Sequence, residues 1–286
     1  MQKKVLADLL LWIETHIDEK ISSCDLVNVA GYSRRHLLNI FLNHTGLPPG
    51  KYIRYRKLCR AAFMLKLTKR KILDIAFQLK FDSQQSFSRE FRKLFHCTPY
   101  QYRIKEDWDF TNLKLPITLV DNECIKYDFC ELSSKEYHGY HFSYERPIYK
   151  QSNDEELVRF RKIIKSMKEC STDIFVSTTF EPHAYKENYI NVTTFIGFAN
   201  VKDANIFIGS ERFTSNSGLY IKIPFEGGVD DYILLSRRTY FYLLPSLGLK
   251  RRGAADIEIF HYIENDGEEG GVVSDHFIPV SEIIAC

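Results

Sequence analysis

The sequence predicts an all-α domain with two helix-turn-helix units, followed by an α+β domain made of two similar halves. Two stretches near the N-terminus, around Gly31 and around Ser83, each join two helical apolar patterns through a short turn. After Glu106 the pattern changes to strand-like segments and two amphipathic helices. We therefore divide the chain into a helical domain over 1–106, a linker over 107–116 and an α+β domain over 117–286.

The charge distribution follows the same division. Residues 1–106 contain 20 Lys and Arg against 9 Asp and Glu, a net charge of +11. Subtracting these from the totals of 39 and 37 leaves 19 basic and 28 acidic residues, a net charge of −9 for the rest of the chain. A basic module joined to an acidic one predicts that the first binds a polyanion and that the second has another task.

The cysteines and the apolar N-terminal segment indicate the cellular compartment of the protein. The seven cysteines are scattered and contain no C-x-x-C pair, which predicts a reducing environment and no disulfide framework. Asp8 and Glu14 interrupt the apolar N-terminal run, whose spacing is helical, so we interpret it as an amphipathic helix rather than a signal peptide. No apolar run is long enough to span a bilayer. These features predict a cytoplasmic protein with no membrane partner.

The first helix-turn-helix unit follows an amphipathic helix over residues 5–18. The segment Ser22-Ser23-Cys24-Asp25 is placed to cap its first helix, and Gly31 provides the permissive backbone that a short turn between helices needs. Ser33 then caps a second helix from Arg34 to His44. The exposed face of that helix carries Arg34, Arg35, Leu38 and Asn39.

A long basic helix is predicted from about Lys51 to Lys66. Its basic positions are Lys51, Arg54, Arg56, Lys57 and Arg60. Such charges ordinarily form a solvated helix face, and the alternative is that a subset contacts a phosphate backbone. We include Arg54 among the candidate DNA contacts.

The second unit ends in a helix that Ser83 is placed to cap. One face of this helix is apolar, with Phe87, Phe91 and Phe95 at helical spacing. The other face carries Gln84, Gln85, Ser86, Arg89 and Lys93. Amides pair with adenine and guanidinium groups with guanine, and a major groove accepts a helix that presents them near its N-terminus. A merely solvated polar face is the alternative.

Several ordered motifs carry a resemblance to a known family. They are Gly31-Tyr32-Ser33, His36-Leu37, Thr45-Gly46, Tyr52-Ile53-Arg54, Arg56, Ile72-Leu73-Asp74-Ile75-Ala76, Phe81-Asp82-Ser83-Gln84-Gln85 and Thr98-Pro99. Through them, residues 6–103 resemble the AraC/XylS DNA-binding domain, and within it the Rob, MarA and SoxS group. The resemblance implies that both recognition helices face the major groove and that RNA polymerase is a partner.

The first recognition helix departs from the family pattern. That pattern has Trp, Gln and Arg where this chain has Arg35, Leu38 and Asn39. Leu38 offers only apolar contact, for instance with a thymine methyl group, or it reads no base at all. The resemblance therefore predicts DNA binding without predicting the target sequence.

The C-terminal part of the chain predicts an α+β domain. Strands are predicted at 117–132, 137–144, 191–201, 219–225, 257–263 and 276–280, starting from Pro116, with helices near 153–167 and 230–243. Strands and helices in this order suggest two similar halves.

Two short motifs are similar to segments of the GyrI-like ligand-binding domain. They are Pro245-Ser246-Leu247-Gly248 and Asp256-Ile257-Glu258-Ile259. The resemblance implies a cleft that holds amphipathic, often cationic molecules against aromatic side chains and a buried glutamate, which Glu258 matches. The candidate walls are Tyr140, Phe142, Phe195 and Tyr220. The alternatives are that Glu258 faces solvent and that the aromatics are ordinary sheet core.

These observations together predict a sequence-specific transcriptional regulator. We expect an activator that binds double-stranded promoter DNA as a monomer and that a small molecule or a protein partner modulates through the C-terminal domain. We predict no catalytic residue, no metal site and no cofactor. The alternative is that the C-terminal domain acts as a drug-sequestering or hydrolytic module.

Overall fold

The computed structural model describes residues 2–113, 125–148, 154–204, 207, 209–263 and 271–281. These residues fall into two compact units, the first containing 2–105 with 112–113, and the second containing 106–111 with the later described residues. The predicted strand start at Pro116, residues 117–124 and Asn153 lie outside the described part. Among the helices that the structure describes, none is both long and apolar enough to cross a membrane.

Three helices and an aliphatic core begin the first unit. They are α1 (Gln2–Thr15), α2 (Ser23–Ala30) and α3 (Arg34–Thr45). Ser22 and Asp25 form a capping box at α2, which satisfies amide groups that the helix leaves without a partner. The core side chains recur at the spacing that the sequence predicts, and they include Leu6, Leu9, Ile13, Leu26, Leu37 and Ile40. The first helix ends at Thr15, earlier than the predicted residue 18.

A long helix leads to a second group of helices with an aromatic core. It is α4 (Pro49–Leu67), and it is followed by α5 (Ile72–Gln78), α6 (Gln84–Phe95) and α7 (Pro99–Ile104). Phe91 is fully buried, and its ring centroid lies 4.5 Å from that of Phe95 and 5.4 Å from that of Tyr102. These rings hold α6 and α7 together, because aromatic pairs at such distances add to the free energy gained by burying their area.

An eight-stranded antiparallel sheet forms most of the second unit. The strands are β2 (Asp128–Leu132), β3 (Glu136–Pro147), β4 (Ile174–Pro182), β5 (Tyr189–Phe198), β6 (Glu211–Thr214), β7 (Gly218–Gly227), β9 (Asp256–Phe260) and β10 (Val272–Pro279). Their order in the sheet is β2-β7-β10-β9-β4-β5-β3-β6. Gly139 of β3 lies so close to β5 that an added Cβ would meet the carbonyl oxygen of Ile196, which explains a glycine in this strand.

Two helices cover one face of this sheet. They are α8 (Asp154–Cys170) and α10 (Val229–Arg238), which share a core with side chains from β4, β5 and β9. The chain continues from α10 through a π-helical turn, Thr239–Leu243, into the short α11 (Leu244–Ser246). The opposite face of the sheet carries a second cluster, which includes Phe175, Phe195, Tyr220, Ile257 and Phe277.

Several details of the C-terminal prediction are wrong, as three examples show. The strand over 191–201 ends at Phe198, because the Asn200 side chain accepts a hydrogen bond from the Lys202 amide and starts the short helix α9 (Val201–Ala204). The strand over 257–263 ends at Phe260. The central strand β4 was not predicted, because its five consecutive buried residues show no alternation.

Part of the predicted linker is a strand of the second unit. β1 (Trp108–Asp109) pairs with β8 (Lys250–Arg251) as a separate two-stranded sheet. Phe110, the next residue, is fully buried and lies 5.8 Å from the ring of Tyr240. Residues 106–111 of the predicted linker therefore pack with the α+β unit rather than as an open connection.

Candidate nucleic-acid interface

The first recognition helix is held by its own caps and exposes a polar face. Gly31 ends α2 in the left-handed region with φ of 67°. Glycine adopts this conformation without strain because it lacks a Cβ. The Ser33 hydroxyl accepts a hydrogen bond from the His36 amide at 3.4 Å and starts α3. The candidate contacts of this helix are all exposed, namely Arg34, Arg35, Leu38 and Asn39.

The second recognition helix has a similar connection with a different turn. Lys80 takes the left-handed conformation with φ of 60°, and the Ser83 hydroxyl accepts a hydrogen bond from the Ser86 amide at 3.1 Å. Gln84, Gln85, Arg89 and Lys93 are exposed, and Ser86 is half-buried. The buried phenylalanines on the other face fix the rotation of α6, so the amides and the guanidinium group lie together at the start of an exposed helix surface.

A glutamate that the sequence reasoning missed lies among the predicted contacts. The Glu90 carboxylate accepts a hydrogen bond from Lys93 Nζ at 2.9 Å, and it lies 3.7 Å from Arg89 Nε and 3.7 Å from Arg54 Nη1. The hydrogen bond from Lys93 holds the pKa of Glu90 below its usual value. The sequence predicts Arg89, the neighbour of Glu90, as a DNA contact. It does not predict that Arg54 of α4 lies close to Glu90, because this is a tertiary contact.

The basic residues of α4 divide into two groups. Lys51 and Arg54 are exposed, whereas Arg56 and Lys57 are buried. The Arg56 guanidinium donates to Glu14 at 2.6 Å and 3.0 Å, and Lys57 Nζ donates to the Glu19 carbonyl at 2.8 Å. Arg60 lies 3.2 Å from the Asp18 carboxylate. Arg56, Lys57 and Arg60 therefore stabilise the packing of α4 against α1 and the residues that follow it. Of these five basic residues, Lys51 and Arg54 remain exposed as candidate phosphate contacts.

The predicted effector residue Glu258 is buried and already paired with a cation. The Arg159 guanidinium of α8 donates to one carboxylate oxygen, and Tyr232 donates to the other at 2.9 Å. His276 Nδ1 lies 3.3 Å from the same carboxylate. Burial by itself raises the pKa of Glu258, but the charges of Arg159 and His276 and the hydrogen bonds from Arg159 and Tyr232 together more than offset this, so that the pKa lies below the usual value and the group is ionised.

The structure does not bring the five predicted effector residues together. Tyr140 and Phe142 pack into the cluster beneath α8 and α10, on the face that also carries Glu258. Phe195 and Tyr220 lie in the cluster on the opposite face. Successive side chains of a strand point to opposite faces, so the pairing of Val176 with both Glu258 and Ile196 directs Phe195 away from Glu258.

A serine and a histidine extend the buried cluster around Glu258. Ser274 Oγ lies 3.1 Å from His276 Nε2, so that Ser274, His276 and Glu258 follow the order of a nucleophile, a base and an orienting carboxylate. However, Ser274 is only 2% exposed, and a nucleophile must reach its substrate. Burial also lowers the pKa of His276. The hydrogen bonds among these groups, with Arg159 and Tyr232, are those expected of a structural network, in which Nε of Arg159 is buried without a hydrogen-bond partner among the described residues.

Two exposed recognition helices, each preceded by a short helix and a tight turn, define this chain as a double helix-turn-helix protein. A family model described as a helix-turn-helix domain matches residues 26–105. YkgA of Escherichia coli strain K12, which carries the name of an HTH-type transcriptional regulator, is 41% identical over 69% of this chain and 83% of its own. The right origin-binding protein of the same organism is 30% identical over 92% of both chains.

Two further proteins are similar to parts of this chain. The F1 operon positive regulatory protein of Yersinia pestis is 31% identical over 91% of this chain and 83% of its own. A crystal structure of an AraC-type regulator from Chromobacterium violaceum is 32% identical, with a TM-score of 0.34, over 35% of this chain and 89% of that one. The chain belongs to the AraC/XylS family of transcriptional regulators and is Rob-like within it.

Proposed function

We propose that this regulator binds promoter DNA in a sequence-specific manner, as a monomer, with α3 and α6 as its two recognition helices. The observation that carries the proposal is the surface of α6, where Gln84, Gln85 and Arg89 are exposed beside each other and the buried phenylalanines fix the orientation of the helix. The base contacts come from these residues with Ser86, and from Arg35, Leu38 and Asn39 of α3. Arg34, Arg54 and Lys93 contact phosphates.

Selection of bound sites from random duplex DNA tests this proposal directly. The full chain at near-physiological salt should enrich one asymmetric motif with two readable blocks about one helical turn, or ~34 Å, apart. A palindromic motif would replace the monomer by a dimer, and binding without enrichment would contradict sequence-specific recognition by the free protein. Arg89→Ala should weaken binding to the enriched duplex more than to a shuffled duplex of the same composition.

We further propose that the second unit is a GyrI-like domain and that an effector or a partner acts through it. The sheet order supports two similar halves, since β4-β5-β3-β6 and β9-β10-β7-β2 run outward from the centre in corresponding positions. Activation of transcription through RNA polymerase is part of the same proposal, supported by relatives that are named as positive regulators or activators. The helical domain then covers 1–106, and the protein acts in the cytoplasm on the chromosome.

Because Glu258 is already paired with Arg159, an effector that binds at Glu258 must compete with this arginine. A cationic effector has to displace the Arg159 guanidinium from a buried carboxylate, and two of the four predicted aromatic walls, Tyr140 and Phe142, lie on that face. Removing one partner of a buried pair leaves the other charge uncompensated, which costs about 3–5 kcal/mol. Arg159→Ala therefore destabilises the unit, and an amphipathic cation that fills the space restores part of the loss.

Thermal unfolding with tetraphenylphosphonium as the probe tests the effector proposal. The cation should raise the unfolding temperature of Arg159→Ala more than that of the unmodified chain, and it should have no effect on the double variant Arg159→Ala, Glu258→Gln. An equal shift in all three proteins would mean that the probe binds elsewhere, and the cationic-effector proposal would fail.

A further inference from the structure

Glu90 stands out because it is an acidic group within a surface that the proposed function assigns to a polyanion. Three of the proposed DNA contacts, Arg54, Arg89 and Lys93, lie within 3.7 Å of its carboxylate. The Glu90 side chain is 16% exposed, while those of the three cations are 59%, 70% and 65% exposed. The Glu90 carboxylate is therefore largely buried, and the three cationic side chains extend past it toward solvent.

This arrangement affects each cation in a definite way. Arg54 and Lys93 would otherwise point freely into solvent, and Glu90 offers them an intramolecular carboxylate that competes with a phosphate. Arg89 approaches Glu90 through Nε, at 3.7 Å from Oε1. An arginine whose Nε faces a carboxylate still has its two terminal nitrogens available, in the fork that pairs with the O6 and N7 atoms of guanine.

We propose that Glu90 is a specificity-determining residue, which weakens contact with phosphates in general and orients Arg89 for base recognition. The inference rests on the proposed DNA-binding function and refines it. On a wrong sequence Arg89 finds no base partner, and Arg54 and Lys93 remain shared with Glu90, so the complex is weak. On the correct sequence the oriented guanidinium gains its base contact, and the two other cations exchange Glu90 for phosphates. Discrimination between DNA sequences increases because competition from Glu90 weakens phosphate contacts on all DNA, whereas the base contact of Arg89 strengthens binding to one sequence.

The test compares Glu90→Gln with a matched control in the same unit. Asp8→Asn makes the same change of one charge on α1, which is not a recognition helix, and Asp8 is exposed. Binding of the full-length chain and of both variants is measured on the duplex that selection enriches and on a shuffled duplex, over a range of salt concentrations. Thermal unfolding checks that both variants fold.

We expect Glu90→Gln to bind the shuffled duplex about fivefold more tightly at ~0.15 M salt, because one additional phosphate contact changes log K by about 0.9 times log salt. The slope of log K against log salt should become steeper by about 1. The gain on the enriched duplex should be smaller, so that the ratio of specific to non-specific affinity falls. Asp8→Asn should change neither the slope nor the ratio to this extent.

The remaining outcomes separate this inference from the function on which it rests. Equal effects of Glu90→Gln and Asp8→Asn would overturn the inference, since net charge alone would then explain them. A gain on both duplexes with an unchanged ratio would also overturn it. If the unmodified chain bound both duplexes equally, the proposed sequence-specific function would fail, while the shuffled duplex would still report on competition for phosphates. If it bound neither, both proposals would fail together.

Discussion

The two helix-turn-helix units of this chain share one architecture and differ in almost every stabilising contact. The first has a mainly aliphatic core with Leu6, Leu9 and Ile13, to which Phe41 also belongs, whereas the second has a mainly aromatic one around Phe91. The first turn uses glycine in the left-handed region, and the second uses Lys80 in the same conformation. In the described part of the chain, ion pairs involve α6 but not α3.

The comparison teaches that this motif constrains geometry more than chemistry. Both units satisfy the same requirements, which are a capped helix, a tight turn and one apolar face. The choice of side chains within those requirements remains open to function. Among the described residues, only the second unit places a carboxylate and two further cations near an exposed arginine of its last helix, so we expect the two units to contribute differently to stability and to recognition.

The largest expected effect is on the aromatic core. Phe91→Ala should lower the free energy of unfolding of the helical domain by about 3–5 kcal/mol, because it leaves a cavity and removes ring contacts with Phe95 and Tyr102. Leu37→Ala, at a buried position of the first unit, should cost about 2–4 kcal/mol. Denaturant unfolding measures both. If Leu37→Ala cost more, the aromatic core would not be the stronger of the two.

The next effect is on recognition. Arg89→Ala should cost about 1–3 kcal/mol of binding free energy on the enriched duplex, and Arg35→Ala should cost less. If Glu90 orients Arg89 before binding, as proposed, Arg89 loses less side-chain freedom than Arg35, for which the described residues provide no ion-pair partner. Fluorescence anisotropy with labelled duplex measures both variants. Equal losses would remove this difference between the units.

The two turns should respond in opposite directions. Gly31→Ala should destabilise the first unit by about 1 kcal/mol, because φ of 67° is unfavourable for a residue with a Cβ. Lys80→Gly relieves the same strain but makes the unfolded chain more flexible, so we expect a gain of about 0.5 kcal/mol at most. Thermal unfolding gives both values. A loss of stability in Lys80→Gly would show that the lysine side chain itself stabilises the turn.

The smallest effect is expected at Leu38. Its side chain is 39% exposed, so Leu38→Ala should change stability by only about 0.5 kcal/mol. If Leu38 contacts a thymine methyl group, replacing that thymine by uracil in the enriched duplex should weaken binding to the unmodified chain by less than about 1 kcal/mol, and should not weaken binding to Leu38→Ala. A uracil effect that persists in the variant would assign the methyl contact to another residue.

Local signals in the sequence predict most of the helical domain. Ser33 and Ser83 accept the capping hydrogen bonds that their positions indicate, and Ser22 caps α2 from within the predicted segment 22–25. Gly31 takes a left-handed conformation that glycine adopts without strain. These predictions succeed because a cap or a turn depends on residues no more than a few positions apart. In the second unit, the left-handed Lys80 could not be predicted, because the packing of α5 against α6 imposes it.

The sequence by itself determined the order of the helices, the apolar face of each and the family, because these depend on short-range spacing and on ordered motifs. Only the tertiary structure decided which charges remain available. Arg56 and Lys57 meet Glu14 and Glu19 about 40 positions away, Arg159 meets Glu258 from a distant helix, and Arg54 meets Glu90 from another element. Whether a charge serves a ligand or the fold depends on its partner, and the partner is brought near by long-range packing.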